Sequence, residues 1–193
     1  MISYTEESIQ RILQKLKENI REKKFSSSKF PFFVFICGEQ ILDENSQIMA
    51  AEDLRSKKNK RQYILDAIDE IKNRKVVGVI AEKLIETFSE HDSLTFEGIL
   101  ADISDEIIII VESVGTFCEL GAFSFSKDLI DKLYIINDEQ HREDKSFINR
   151  GPIRKINGSH SGETKYIIYD TDEWKQDLEL KNHFEKWEKK RIS

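Results

Sequence analysis

The spacing of apolar residues changes several times along the chain, and each change predicts an element. Ile9, Ile12, Leu13, Leu16 and Ile20 recur at intervals of three and four behind Thr5, a residue suited to an N-cap, so an amphipathic helix is predicted over 5–23. The run 31–38 (Pro-Phe-Phe-Val-Phe-Ile-Cys-Gly) is instead short and almost wholly apolar, the pattern of a strand buried on both faces, and it breaks at Gly38. The same pattern returns over 76–81, 106–111, 133–136 and 166–169. Helical spacing lies between these runs: Ile64, Ile68 and Ile71 predict a helix over 61–73, and Leu94, Phe96, Ile99, Leu100 and Ile103 predict another. A further helix is predicted from the turn at residues 112–116, and a last one follows Asp172 through Trp174, Leu178, Phe184 and Trp187. The stretches 39–60 and 137–162 are polar and read as long loops, the first with a short helix over 48–54, the second with turn signals at Gly151-Pro152 and Asn157-Gly158.

Alternation of buried strands with helices predicts an α/β three-layer sandwich of flavodoxin-like (Rossmannoid) type, with a central parallel sheet of about five strands. The length of 193 residues suits a single domain, 1–193, with an N-terminal helix over 1–24 and a C-terminal one over 172–190; the 39% hydrophobic content is enough for a core. A formal net charge of −6 argues against a global pull toward nucleic acid. The apolar runs are far shorter than the roughly 20 residues that span a bilayer, and Met1 is followed by a polar helix rather than a signal peptide, so a cytoplasmic protein without membrane contact is expected. Cys37 and Cys118 form no Cys-x-x-Cys pair, and the four histidines lack metal-ligand spacing, so neither a metal nor any other cofactor is expected.

The chemistry concentrates behind the third strand, in the segment Glu112-Ser-Val-Gly-Thr-Phe-Cys-Glu119-Leu-Gly-Ala122. In an open parallel sheet, ligands bind at the carboxyl ends of the strands, where helix N-termini offer free N–H groups. Glu119 is expected on the first turn of its helix, either as a dipole-favoured acid or as a reacting carboxylate. Gly38, Gly115 and Thr116 line the same predicted edge. The basic cluster Arg55, Lys57, Lys58, Lys60 and Arg61 reads as solvated surface or a phosphate site, Glu82 as a salt-bridge partner, and Asp105 as a local turn residue or a pocket residue.

The Gly-Thr-Phe-Cys-Glu-Leu-Gly-Ala step at 115–122 resembles the nucleoside deoxyribosyltransferase signature, and Phe96-Glu97 with Ser104-Asp105 resembles that family's preceding helix. The combination with Cys37-Gly38, Glu112-Ser113 and Ser146 to Pro152 is similar to the deoxyribosyltransferase-like effectors encoded beside retron reverse transcriptases. The resemblance implies that Glu119 attacks the anomeric carbon of a sugar while Glu97 orients or protonates the leaving base. It implies that Gly38, Ser113, Gly115, Thr116, Asp105 and Arg150 bind the substrate, a nucleotide or NAD. Where the transferases carry an aspartate before Gly-Thr this chain has Ser113, which weakens base exchange and favours hydrolysis of the N-glycosidic bond. A toxic effector of a retron-type antiphage system, silenced by a reverse transcriptase and its RNA–DNA product and assembled as a homo-oligomer, is what this resemblance implies. A nucleotide sensor without turnover, or a true deoxyribosyltransferase, are the alternatives.

Overall fold

The computed structural model describes residues 14, 32–39, 60–70, 76–82, 93–158, 167–170 and 183. The helices expected over 1–24, 48–54 and 172–190 lie outside the described residues, apart from Gln14 and His183, both helical. Five strands, β1 (Phe32–Cys37), β2 (Val76–Val79), β3 (Glu106–Ile110), β4 (Leu133–Asp138) and β5 (Ile167–Asp170), join in the order β2-β1-β3-β4-β5. Every pairing is parallel, with Cys37 opposite Ile109 and Ile110 opposite Ile136. This is the flavodoxin-like strand order.

Strands buried on both faces need apolar side chains in both directions, and Ile107, Ile108, Ile109 and Ile110 are at most 1% exposed. Burying one such side chain contributes roughly 1.5–3 kcal/mol. The alternation of β1 divides the core. Val34 and Ile36 face α1 (Lys60–Asp69) through Ile64, Leu65 and Ile68. Phe33, Phe35 and Cys37 face the opposite layer, where Phe96 and Leu100 of α2 (Ser93–Ile103), Leu120 and Phe123 of α3 (Val114–Phe125) and Ile156 of α4 (Arg154–Gly158) pack. The chain therefore leaves neighbouring β1 and β3 toward opposite faces, which opens a crevice at their carboxyl ends.

Two sequence expectations change. The helix expected over 61–73 runs only over Lys60–Asp69. The polar segment after β4 is not a plain loop: it holds a short 3₁₀ turn at Glu139–His141, a wide π-helical turn at Asn149–Ile153 and then α4. Gly151-Pro152 read as a turn signal, but Pro152 lies inside the π-helical turn that leads into α4. Pro152, Ile153 and Ile156 are buried, so three apolar residues in a polar stretch are enough to dock it on the core.

The amino edge of the sheet is tied by polar groups. The Asp105 carboxylate accepts the Phe33 N–H at 2.8 Å, and its own N–H donates to the Phe33 carbonyl at 2.9 Å. Glu106, buried, hydrogen-bonds His183, whose ring stacks on Tyr134 with centroids 4.1 Å apart. His183 thereby packs on β3 and β4 on the face that α1 covers. Replacing one member of a buried pair leaves the other desolvated and unmatched, so His183→Ala should lower unfolding free energy by about 2–4 kcal/mol in urea titrations. A loss under about 0.5 kcal/mol would show that the clasp contributes nothing.

Candidate active site

The turn from β3 into α3 is built by its own side chains. Ser113 takes the N-cap in extended conformation, and its hydroxyl accepts the Thr116 N–H at 3.3 Å. The Thr116 hydroxyl accepts the N–H groups of Ser113 at 3.0 Å and Glu112 at 3.2 Å, and donates to the Ser113 carbonyl at 2.8 Å. This reciprocal capping box satisfies the free N–H groups of the turn, and it engages the two hydroxyls that the sequence suggested for substrate. Thr116 is 1% exposed. Gly115 lies in the open on the first turn, where an added side chain would meet only the Ser113 hydroxyl, at 3.8 Å.

With Ser113 as cap, Glu119 falls at the sixth helical position, on the second turn rather than the first. The dipole term fades within the first turn, so it does not hold this carboxyl ionised. Instead Glu119 leans beside buried Leu120 toward the sheet, where Cys37 ends β1 and Glu97 rises from α2 next to buried Phe96. Burial raises the Glu119 carboxyl from its ordinary 4.5 to about 7, with the charge of Glu97 acting the same way. A hydrogen bond from the Cys37 thiol and the positive charge of Arg61 oppose the shift. Burial also raises Glu97, with Glu82 adding to the effect, while hydrogen bonding with Glu119 and the Arg61 charge hold it down. The Cys37 thiol is pushed well above its usual range, first by burial and then by Glu119. Of the Glu119 oxygens, Oε2 is buried and has no hydrogen-bond partner within the protein.

Arg61 completes the cluster from the other layer. It is 3% exposed, and its guanidinium forks onto Glu82 just past β2, at 3.2 Å from Nη1 to Oε2 and 2.7 Å from Nη2 to Oε1. Its stem runs over Gly38, where an added Cβ would stand 2.7 Å from Cγ and 2.9 Å from Cδ. Gly38 therefore makes room for Arg61 rather than for a ligand. At the mouth of the crevice Glu112 binds the Glu39 N–H at 3.3 Å and Lys60 Nζ at 3.3 Å, joining the ends of β1 and β3 to the start of α1.

Not every residue expected in the site is there. Asp105 lies at the amino edge, at the opposite end of β3 from Glu112, because its carboxylate closes the β1–β3 ladder. Arg150 sits exposed on the π-helical turn, with its N–H bound to the Ser146 carbonyl. The basic cluster does not act as a unit: Lys60 pairs with Glu112, Arg61 is buried, and Arg55, Lys57 and Lys58 lie outside the described residues. Sequence reading missed Arg61 and Cys37. Arg61 stands in helical phase with Ile64, Leu65 and Ile68, and that stripe was the signal of its burial. Among the described residues no group of three His, Cys, Asp or Glu is placed to hold a metal ion, and no helix is long and apolar enough to cross a membrane.

Comparison with known proteins adds a family to this geometry. Residues 57–192 match the family model described as STM3845 retron effector protein, a span that takes in every element from α1 onward. The chain belongs to the STM3845 retron effector family. It is also similar to two Escherichia coli proteins, the retron Ec73 and retron Ec86 putative ribosyltransferase/DNA-binding proteins. Identity to the first is 40% over 86 residues, 45% of this chain and 27% of that protein; identity to the second is 46% over 67 residues, 35% of this chain and 22% of that protein. The matched stretches thus span about a quarter of each relative's length.

The raised Glu119 carboxyl has a consequence for the stability of this effector. Below about pH 4.5 the group is protonated folded and unfolded alike and shifts nothing; between 4.5 and about 7 the unfolded chain ionises first, so Glu119 increasingly opposes folding, fully so above 7. Glu119→Gln should therefore melt a few degrees above wild type at pH 8, equivalent to about 1–2 kcal/mol, and together with it near pH 4.5. Identical melting curves at both pH values would mean the carboxyl is not desolvated as described.

Proposed function

We propose that this retron effector cleaves the N-glycosidic bond of a nucleotide or NAD, through Glu119 and Glu97. The observation that carries the reading is a pair of half-buried carboxyls, one on α2 and one on α3, interacting above the carboxyl ends of β1 and β3 with both acidities weakened. Weakly acidic, interacting carboxyls are what glycosidic cleavage employs, and such a pair titrates as a unit that retains one shared proton near neutrality. In the free site that proton favours Glu119; its passage across the hydrogen bond to Glu97 creates the reactive form.

In that form Glu119 attacks the anomeric carbon as the bond to the base breaks; Glu97 delivers its proton to the departing nitrogen of a nucleotide base, whereas the nicotinamide of NAD, whose ring nitrogen is already cationic, takes the bonding pair and leaves neutral, and Glu97 then gives its proton to solvent. The sugar is then an ester of Glu119. Glu97, now ionised, takes a proton from water, whose oxygen displaces Glu119 and releases the free sugar or sugar phosphate. Two displacements at one carbon retain its configuration. The open surface at Gly115 is where the sugar is proposed to rest. The likeness of 115–122 to the deoxyribosyltransferase signature supports the same chemistry, and the printed "ribosyltransferase" of the two relatives is consistent with it. The retron family supports a role as toxic antiphage effector in the cytoplasm, paired with a reverse transcriptase and its RNA–DNA product. Self-association belongs to the reading as well, since Val114 and Phe117 on the outward side of α3 are 78% and 42% exposed.

Purified protein incubated with NAD and a set of nucleotides should release free base, detected chromatographically. Glu119→Gln should lower that rate at least about 10³-fold and Glu97→Gln about 10²-fold, as for loss of a nucleophile and a proton donor. The rate should be bell-shaped in pH, its alkaline limb reporting loss of the shared proton and lying at or above about 7. If Glu119→Gln cleaves as fast as wild type, the reading fails. If it binds nucleotide and neither protein cleaves, the molecule is a sensor.

A further inference from the structure

Arg61 is assigned no role by the family or by the chemistry just described, yet it is the most deeply buried charged residue described in the chain. A guanidinium is seldom taken out of water unless its surroundings need a fixed positive charge. Three features hold it. Two hydrogen bonds fork it onto Glu82, its stem fills the space left by the absent side chain of Gly38, and the helical phase of α1 points it inward with Ile64 and Ile68. It starts on the α1 layer, whereas Glu97 and Glu119 start on the other; its contact at Gly38, beside Ile110, sets its stem at the carboxyl end of β1, one residue from Cys37.

We propose that Arg61 is a positioning residue for the carboxylate pair: clamped on Glu82 and packed over Gly38, its guanidinium is the fixed counter-charge beside which Glu97 and Glu119 stand together. The proposal rests on the glycosidase reading for its purpose, not for its test. The groups facing the pair are Cys37 from β1, Glu82 from the end of β2 and Arg61 from α1. Cys37 is a neutral thiol and Glu82 adds negative charge, so Arg61 supplies the opposing sign, and its charge acts downward on Glu97, Glu119 and Cys37 alike. Glu82 in turn holds the cation in place, which accounts for a carboxylate near the pair that does not itself react. The glycine after β1 thereby gains a reason: any side chain there displaces the counter-charge.

Carbon-13 titration of the glutamate carboxyls in the full chain, with the Glu119 signal identified by its loss in Glu119→Gln, tests this without any substrate. Arg61→Met should move the Glu119 midpoint upward by about one pH unit, Arg61→Lys by less than half of that, and Gly38→Ala in the same direction as Arg61→Met. Both limbs of the cleavage profile should move with it. If Arg61→Met does not fold, Gly38→Ala carries the test, because it leaves every charge in the sequence unchanged. Midpoints that stay within about 0.2 units of wild type in folded Arg61→Met and Gly38→Ala proteins would overturn the proposal and leave Arg61 a structural ion-pair member. Shifted midpoints in a protein that cleaves no nucleotide would uphold the positioning role and remove the glycosidase reading instead.

Discussion

Two carboxyl groups held together away from water repel, and the carboxyl edge of this sheet is organised around that repulsion. At an effective dielectric constant of about 20, like charges about 4 Å apart interact by about 4 kcal/mol. The protein meets this in two ways: the Glu119 carboxyl, pushed up to about 7 by burial and by Glu97, takes up a proton readily, and the Arg61 guanidinium stands by with its own position fixed by Glu82. Neither device works alone. Without the proton, the pair would be doubly ionised in partly buried surroundings; without the guanidinium, it would hold two protons over a wider pH range.

The fold makes the arrangement possible through its topology. Strands β1 and β3 are neighbours whose following helices lie on opposite faces, so side chains from both layers reach one crevice: Arg61 from the α1 side, Glu97 and Glu119 from the other. At the crevice the strands contribute the Cys37 thiol, and their Ile and Phe side chains serve to hold the edge rigid. The turn at 112–116 shows the same division of labour. Ser113 and Thr116 bind each other, freeing the next helical turn to present Glu119 at a set angle. Local hydroxyls build the support, and the next turn carries the acid toward the crevice.

Much of this was legible in the sequence. Runs such as 106–111 have only one stable use in a chain of this size, and five of them between helical stripes imply the parallel sheet. Glu119 stood out because its helix leaves the central strand, and Glu97 only through the resemblance of its helix to that of the deoxyribosyltransferases. What the sequence hid was direction. Asp105 and Glu112 lie at the two ends of one strand, and composition alone does not say which end faces the crevice for a short acidic side chain. Arg61 was lost among neighbouring lysines, although its phase with Ile64 and Ile68 marked it as inward-facing. Gly38 read as a place for ligand, because nothing in a linear chain reveals that a residue 23 positions later fills it. The polar segment after β4 concealed its docking residues, since Pro152, Ile153 and Ile156 are too few to set a period.

The most direct test of the central claim, that Glu119 bonds to the sugar, is the configuration of the product formed when cleavage is run in aqueous methanol. Methanol competes with water and gives a methyl glycoside whose anomeric centre no longer interconverts, so nuclear magnetic resonance can read it at leisure. Two successive displacements through Glu119 predict the retained anomer. An inverted methyl glycoside would mean that solvent attacks the sugar directly, and would contradict the role given to Glu119.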